Sequence, residues 1–233
     1  MKTLLSFVLF ISLASLFSCS GGSSDLDMSG LKGNVKSFIQ LQCESTRLEN
    51  KWVASTVCDD RYRLVNYDAE GNYLETLSMN EQGDTLGLSK IRRENGEIVE
   101  EIVFTRQFLT PKHSKLAEAS RTVMNRESDS QVNFEVWQGS KMVFEGATYY
   151  DSKGRVERQV QVVNNREVMV HHVYDKDLLV ENYQVERDGT RSSTQLYDYE
   201  GVDEHGNWTS KLVYVGSDKI SPEVVFTRTY EYY

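Results

Sequence analysis

Val156-Glu157-Arg158-Gln159-Val160-Gln161-Val162 carries valine at 156, 160 and 162 and polar side chains between them, a period of two that marks a half-buried strand. Lys153-Gly154 precedes this stretch and Asn164-Asn165 follows it. The same punctuation returns along the chain at Gly71-Asn72, Gly83-Asp84, Asn95-Gly96, Gly139-Ser140, Asp188-Gly189, Gly206-Asn207 and Gly216-Ser217. Glycine, asparagine and aspartate accept the backbone angles of tight hairpins, so the chain reads as all-β: an antiparallel meander of hairpins forming a curved or wrapped sheet. Pairing Val160 with Val170 and Val162 with Val168 keeps even-numbered residues on one apolar face. That register predicts a three-residue loop at Asn164-Asn165-Arg166 and sets Val156 opposite Tyr174.

A repeat underlies the rhythm. Tyr67-Asp68 with Gly71, Tyr150-Asp151 with Gly154, Tyr174-Asp175, and Tyr197-Asp198 with Gly201 recur, the last three at intervals of 24 and 23 residues. Tyrosine ends a strand by packing its ring, aspartate caps the turn, and glycine supplies the positive φ. The pattern resembles the YD repeats of RHS-type proteins. Gly30-Leu31-Lys32-Gly33-Asn34-Val35 and the ending Arg228-Thr229-Tyr230-Glu231-Tyr232-Tyr233 look like the two ends of YD-repeat-like lipoproteins of Bacteroidota. The resemblance implies a β-hairpin scaffold over residues 31–233 and no catalytic residues.

Cys43 and Cys58 flank the hairpin tip Glu49-Asn50-Lys51-Trp52. With a two-residue loop at Asn50-Lys51, paired residue numbers sum to a constant that sets Cys43 opposite Cys58, Ile39 opposite Tyr62 and Leu41 opposite Asp60. A cross-strand disulfide is expected, against the alternative of two buried thiols. One segment departs from the hairpin pattern. Between Phe108 and Asp129, the Leu116, Ala119, Val123 spacing admits a short helix near 114–124, while Arg121-Thr122-Val123-Met124 has strand composition. Strands on both sides favour a strand, and residues 108–130 form the candidate boundary between two halves.

The first residues have their own design. Lys2 is followed by an apolar run from Leu4 to Phe17, stopped at Leu16-Phe17-Ser18-Cys19. The run is too short for a transmembrane helix, and Ser20-Gly21-Gly22-Ser23-Ser24 is a flexible spacer. This layout resembles a bacterial lipoprotein signal. The resemblance implies removal of residues 1–18, fatty acylation of Cys19 with palmitate-type chains, a tether over 19–30, and membrane attachment at the outer membrane, its side undetermined. The formal charge of −9 becomes −10 once Lys2 is removed, and no basic patch offers itself to nucleic acid.

No constellation of catalytic or metal-binding residues stands out, and no cofactor is expected. His171 and His172 are adjacent, so a strand points them to opposite faces; His113 and His205 fall on expected loops. Trp52, Trp137 and Trp208 are candidate aromatics for a protein or glycan partner, against core packing, since alternation puts Trp208, Leu212 and Tyr214 on one face. The expected function is a non-enzymatic, lipid-anchored envelope protein with a structural or binding role. The alternative is a glycan-active enzyme or toxin-associated shell, and shells need many more repeats than this chain holds.

Overall fold

The computed structural model describes residues 24–110, 113–163, 166–186 and 188–233. Cys19, with residues 1–23, lies outside them. A four-residue helix, α1 (Asp25–Met28), leads into fourteen strands. They are β1 (Val35–Leu48), β2 (Lys51–Tyr67), β3 (Tyr73–Asn80), β4 (Thr85–Glu94), β5 (Glu97–Thr110), β6 (His113–Ser128) and β7 (Gln131–Gln138). The second seven are β8 (Lys141–Tyr150), β9 (Val156–Val163), β10 (Arg166–Asp175), β11 (Leu178–Val185), β12 (Arg191–Val202), β13 (Trp208–Val215) and β14 (Val224–Tyr232). Each strand pairs antiparallel with the next, and β14 pairs with β1 through Phe38↔Tyr230 and Gln40↔Arg228. The expected curved sheet is therefore a closed barrel, a form that leaves no free edge.

The turn chemistry is repeated residue for residue. Asp68, Asp151 and Asp203 each accept the amide of the glycine three residues on at their carbonyl, at 3.0, 2.9 and 3.1 Å. Each Oδ1 also takes the amides two and four residues on, at 2.7–3.1 Å. Gly71, Gly154 and Gly206 hold φ of 82°, 77° and 87°, where a β-carbon is strained. Tyr174-Asp175 ends β10 at a tighter turn, with Lys176 at φ 56°. The fourth repeat differs from the sequence reading: Tyr197 and Asp198 lie inside β12, and the turn that follows belongs to Asp203.

Bulges account for the register corrections. In the β1–β2 hairpin the loop is Glu49-Asn50, one residue earlier than expected, since Leu48 pairs with Lys51. Irregularities then insert extra β2 residues on each side of Cys58, so Ile39 meets Leu64 and Leu41 meets Tyr62. The expected register holds only at Cys43↔Cys58, where the disulfide is present. In β9–β10, Val163 pairs with Arg166, so the loop has two residues and Val160 meets Met169. Residues 113–128 are strand rather than helix. Ser120 pairs with Val103 and Glu118 with Phe104, leaving Ala119 as the extra residue that imitates helical spacing. The β5–β6 ladder runs from Glu100↔Val123 to Thr110↔His113 with two register shifts.

Alternation divides the side chains between interior and exterior. One end of the interior is a floor. Leu26, Leu31, Val35, Phe38, Val65, Tyr67 and Tyr73 form one buried cluster, and Ile98, Met124, Val132, Phe134, Tyr150 and Val156 a second, with Ile91 packed against both. Asp25 and Leu26, expected in the tether, are part of this floor. Asp25 is 1% exposed and accepts the Tyr73 amide at 2.7 Å and the Arg93 guanidinium. Beyond β14 the β1–β2 hairpin extends as an arm, whose Trp52 and Ala54 pack outside the barrel on Leu212, Tyr214 and Val225.

The exterior is two-sided. Ile39, Leu64, Leu77, Leu88 and Phe104 pair in one continuous row across β1–β5. The opposite side carries charge at mid-strand, with Glu135 directly opposite Glu145 and Arg158 opposite His171. Such charges are costly against lipid, and among the described residues they interrupt the apolar row on this side of the barrel. No helix among the described residues is long and apolar enough to cross a membrane.

Candidate functional site

Above the floor, three cations face inward. Arg63 on β2 pairs across to Gln40 on β1, and Gln40 pairs across to Arg228 on β14; Lys211 on β13 pairs with Phe226, two residues before Arg228. Closure of the barrel alone brings them together, since β1 and β2 lie at the start of the chain and β13 and β14 at its end.

Rings surround these charges. The Arg228 guanidinium lies 3.9 Å from the Trp208 ring centre and 4.1 Å from that of Phe38, and its Nε donates to Gln40 Oε1 at 2.9 Å. The Lys211 ammonium is 5.1, 5.2 and 5.4 Å from the ring centres of Phe226, Tyr197 and Trp208. Ring faces carry partial negative charge and stabilise a cation by about 0.5–2 kcal/mol each, depending on desolvation. They do not neutralise it. Among the described residues, no carboxylate forms an ion pair with Arg63, Lys211 or Arg228.

The electrostatic consequence is visible on each group. Lys211 is half-buried by surface area and enclosed by the rings of Phe226, Tyr197 and Trp208. That enclosure, followed by repulsion from Arg228 and Arg63, pushes its ammonium down to about 7. Burial likewise lowers Arg63 and Arg228, each partly restored by tyrosines, Tyr73 for Arg63 and Tyr230, Tyr67 and Tyr199 for Arg228. Clustered like charges in an enclosed space cost stability, and such costs concentrate where a site serves a ligand.

The surroundings are graded. Across the interior, Asn182 Nδ2 donates to Tyr197 Oη at 2.7 Å, and Tyr197 Oη donates to Gln195 Oε1 at 2.9 Å. His172, on the same inward face, has a buried Nε2 with no hydrogen-bond partner among the described residues, and burial lowers its pKa to about 4. Away from the floor, Val168, Val170, Val213, Val224 and Phe226 face inward, all but Val213 only half buried. They leave apolar side-chain surface uncovered on the inward face.

The residues singled out from sequence disperse. Tyr67, Asp68, Gly71, Tyr150, Asp151, Gly154, Tyr174 and Asp175 build the floor end and its turns. Gly201 holds φ 72° within β12, and Asp198 faces outward to Lys219. Trp52 clamps the arm by donating to the Ile220 carbonyl at 3.2 Å, and Trp137 donates to Glu135 at 3.1 Å. Only Trp208, with Tyr197, reaches the cations, and Trp208 parts from Leu212 and Tyr214, which pack outside under the arm. His171 stacks outward on Tyr183 at 5.1 Å, while His205 packs on Tyr232 at 4.0 Å. Glu101 is inward and buried, held by the Ser89 hydroxyl at 2.5 Å, whereas Glu100 faces outward to Arg92 and Arg121. No group of three His, Cys, Asp or Glu among the described residues is placed to hold a metal.

No protein-family model matches this chain, and no curated protein matches it. Solved structures similar to it include a porin-like protein from Bacteroides vulgatus ATCC 8482, with TM-score 0.48, 11% identity, and coverage of 84% of this chain and 98% of that one. A porin-like protein from Bacteroides uniformis ATCC 8492 follows at TM-score 0.31 and 9% identity, covering 86% and 98%. A LolA superfamily protein, NE2245 from Nitrosomonas europaea, has TM-score 0.28 and 9% identity, covering 86% and 84%.

Proposed function

We propose that this chain is a lipid-anchored, non-enzymatic protein of the bacterial outer membrane whose barrel holds a ligand in its interior. The observation that carries this reading is the inward cluster of Arg63, Lys211 and Arg228, caged by aromatic rings and without a carboxylate partner among the described residues. Evolution of a rigid scaffold alone favours neutral or paired interior groups. The Cys43–Cys58 bridge fits an oxidising envelope compartment. Exterior charge on β7–β10 fits a barrel held beside the bilayer by an acyl anchor rather than inserted in it. Because the floor includes Asp25, only five residues separate it from Cys19, a reach of at most ~20 Å when extended. The floor therefore faces the membrane and the other end points away.

Two measurements test this. Metabolic labelling with palmitate tags the wild-type protein and not Cys19→Ser; label retained by the variant removes the anchor. Native mass spectrometry of protein extracted from intact envelope reveals an adduct of small-molecule mass that is lost on denaturation. Protein of bare polypeptide-plus-lipid mass under conditions that preserve weak adducts counts against the interior site.

A further inference from the structure

We propose that the interior ligand is an amphipathic anion: a carboxylate or phosphate head seated against Arg63, Lys211 and Arg228, with an apolar body lying along the inward valines and Phe226. This rests on the reading of the barrel as a binding compartment and adds the chemistry of what it takes.

The head is assigned by the charges. Three cations line a contiguous patch of wall, with Gln40 set between Arg63 and Arg228, and the guanidinium of Arg228 is fixed in direction by Gln40 and by stacking between Phe38 and Trp208. A fixed guanidinium presents its remaining N–H groups in a planar fork that matches two oxygens of one acidic group. An anion there lowers the repulsion among all three. A neutral or cationic ligand leaves that repulsion in place.

The body is assigned by depth. Below the cations the floor is packed with Phe38, Val65, Tyr67 and Tyr73, so a ligand cannot extend past them toward the tether. In the other direction the inward positions on β10, β13 and β14 are Val168, Val170, Val213, Val224 and Phe226. Apolar area there leaves water when a hydrocarbon chain covers it, which favours binding. A fully polar anion, such as inorganic phosphate, gains nothing from that wall. The two-part lining selects a molecule with an acidic end and a greasy one, entering head first.

The test uses the complete mature protein in amphipol, with an anthroyloxy-labelled stearate as fluorescent probe and sodium stearate, lysophosphatidic acid, methyl stearate and inorganic phosphate as competitors. Expected is probe uptake reversed by stearate, by lysophosphatidic acid or by both, at least tenfold better than by methyl stearate or phosphate. Displacement by stearate alone identifies a carboxylate head, and by lysophosphatidic acid alone a phosphate head. The double variant Lys211→Met, Arg228→Gln weakens uptake at least tenfold, whereas Lys219→Met, on the outer surface, leaves it unchanged; melting curves establish that both fold. Methyl stearate competing as well as stearate, with uptake unaltered in the double variant, overturns the anion while the compartment stands. No uptake by the wild type in any arm overturns both.

Discussion

The floor and the cationic shelf above it sit in one barrel, separated by two or three residues along each strand, yet they treat charge in opposite ways. At the floor, Asp25 is buried against a named counter-charge, Arg93, and a named amide, Tyr73. Burial still pushes its carboxyl up, with those two partners pulling it back. On the shelf, three cations have rings and an amide side chain but no carboxylate. The difference separates groups that hold the fold from groups that strain it. The end that contains Asp25 is built to be stable, and the middle carries an electrostatic cost that the proposed anion would remove.

Breaking the floor pair is expected to have the largest effect. Asp25→Ala strands the Arg93 guanidinium, which is 21% exposed, and frees the Tyr73 amide. Removing one member of a buried pair costs about 3–5 kcal/mol, which lowers the melting temperature by about 10 °C in a domain of this size. A loss below 2 °C means α1 is not docked in solution. Next comes the arm. Cys43→Ser with Cys58→Ser opens a bridge of sequence separation 15, a loss of about 3 kcal/mol by chain entropy, and exposes the arm around Trp52 to limited proteolysis. Unchanged proteolysis places the arm's hold in Leu212, Tyr214 and Val225 instead.

Turns sharpen the comparison at a smaller scale, and they show what the chain discloses about itself. Asp151→Ala removes a carboxylate that binds two turn amides and costs about 1 kcal/mol, in the range of a lost cap. Asp198→Ala, its counterpart in the Tyr-Asp repeat, changes stability by less, about 0.5 kcal/mol, because Asp198 lies mid-strand, binds no turn amide and meets only side chains, the exposed Lys219 and the Tyr214 hydroxyl. Local chemistry was legible: turns at Gly71, Gly154 and Gly206, strands between them, and the Cys43–Cys58 partnership follow from residues near each other in sequence. Register was less so, since bulges beside Cys58 and at Ala119 shift alternation without any glycine or proline to announce them. Closure and the shelf were not legible. Arg63 and Lys211 are 148 residues apart, and their meeting depends on the β1–β14 pairing. One signal was present: Arg63 shares its parity with Val65 and Tyr67, and Arg228 with Phe226 and Tyr230, so each occupies a position in the inward phase of its strand.

The subtlest expectation has the opposite sign. Lys211→Met replaces an enclosed ammonium with an isosteric apolar chain, so it stabilises the protein, by about 1 kcal/mol, where the floor substitution destabilises it. Its pH dependence separates charge from packing. The folded-state ammonium is lowered to about 7 from 10.5 in the unfolded chain. Below pH 7 both states are charged and the wild type bears the full cost. Between 7 and 10.5 the unfolded chain binds the extra proton, so wild-type stability rises relative to the variant. Above 10.5 the electrostatic difference has gone. The groups facing Lys211 do not titrate across the lower part of that window: Tyr197 and Tyr199 on β12 and Tyr230 on β14 are all shifted upward, first by burial, and Arg63 and Arg228 stay charged. Anion binding runs the other way, favouring charged Lys211, so affinity for stearate falls as pH rises from 7 to 9, and Lys211→Met flattens that slope. Melting curves and probe titrations at pH 6, 7.5 and 9 read both effects, and a stabilisation by Lys211→Met that is the same at every pH makes the shelf a packing defect rather than an electrostatic one.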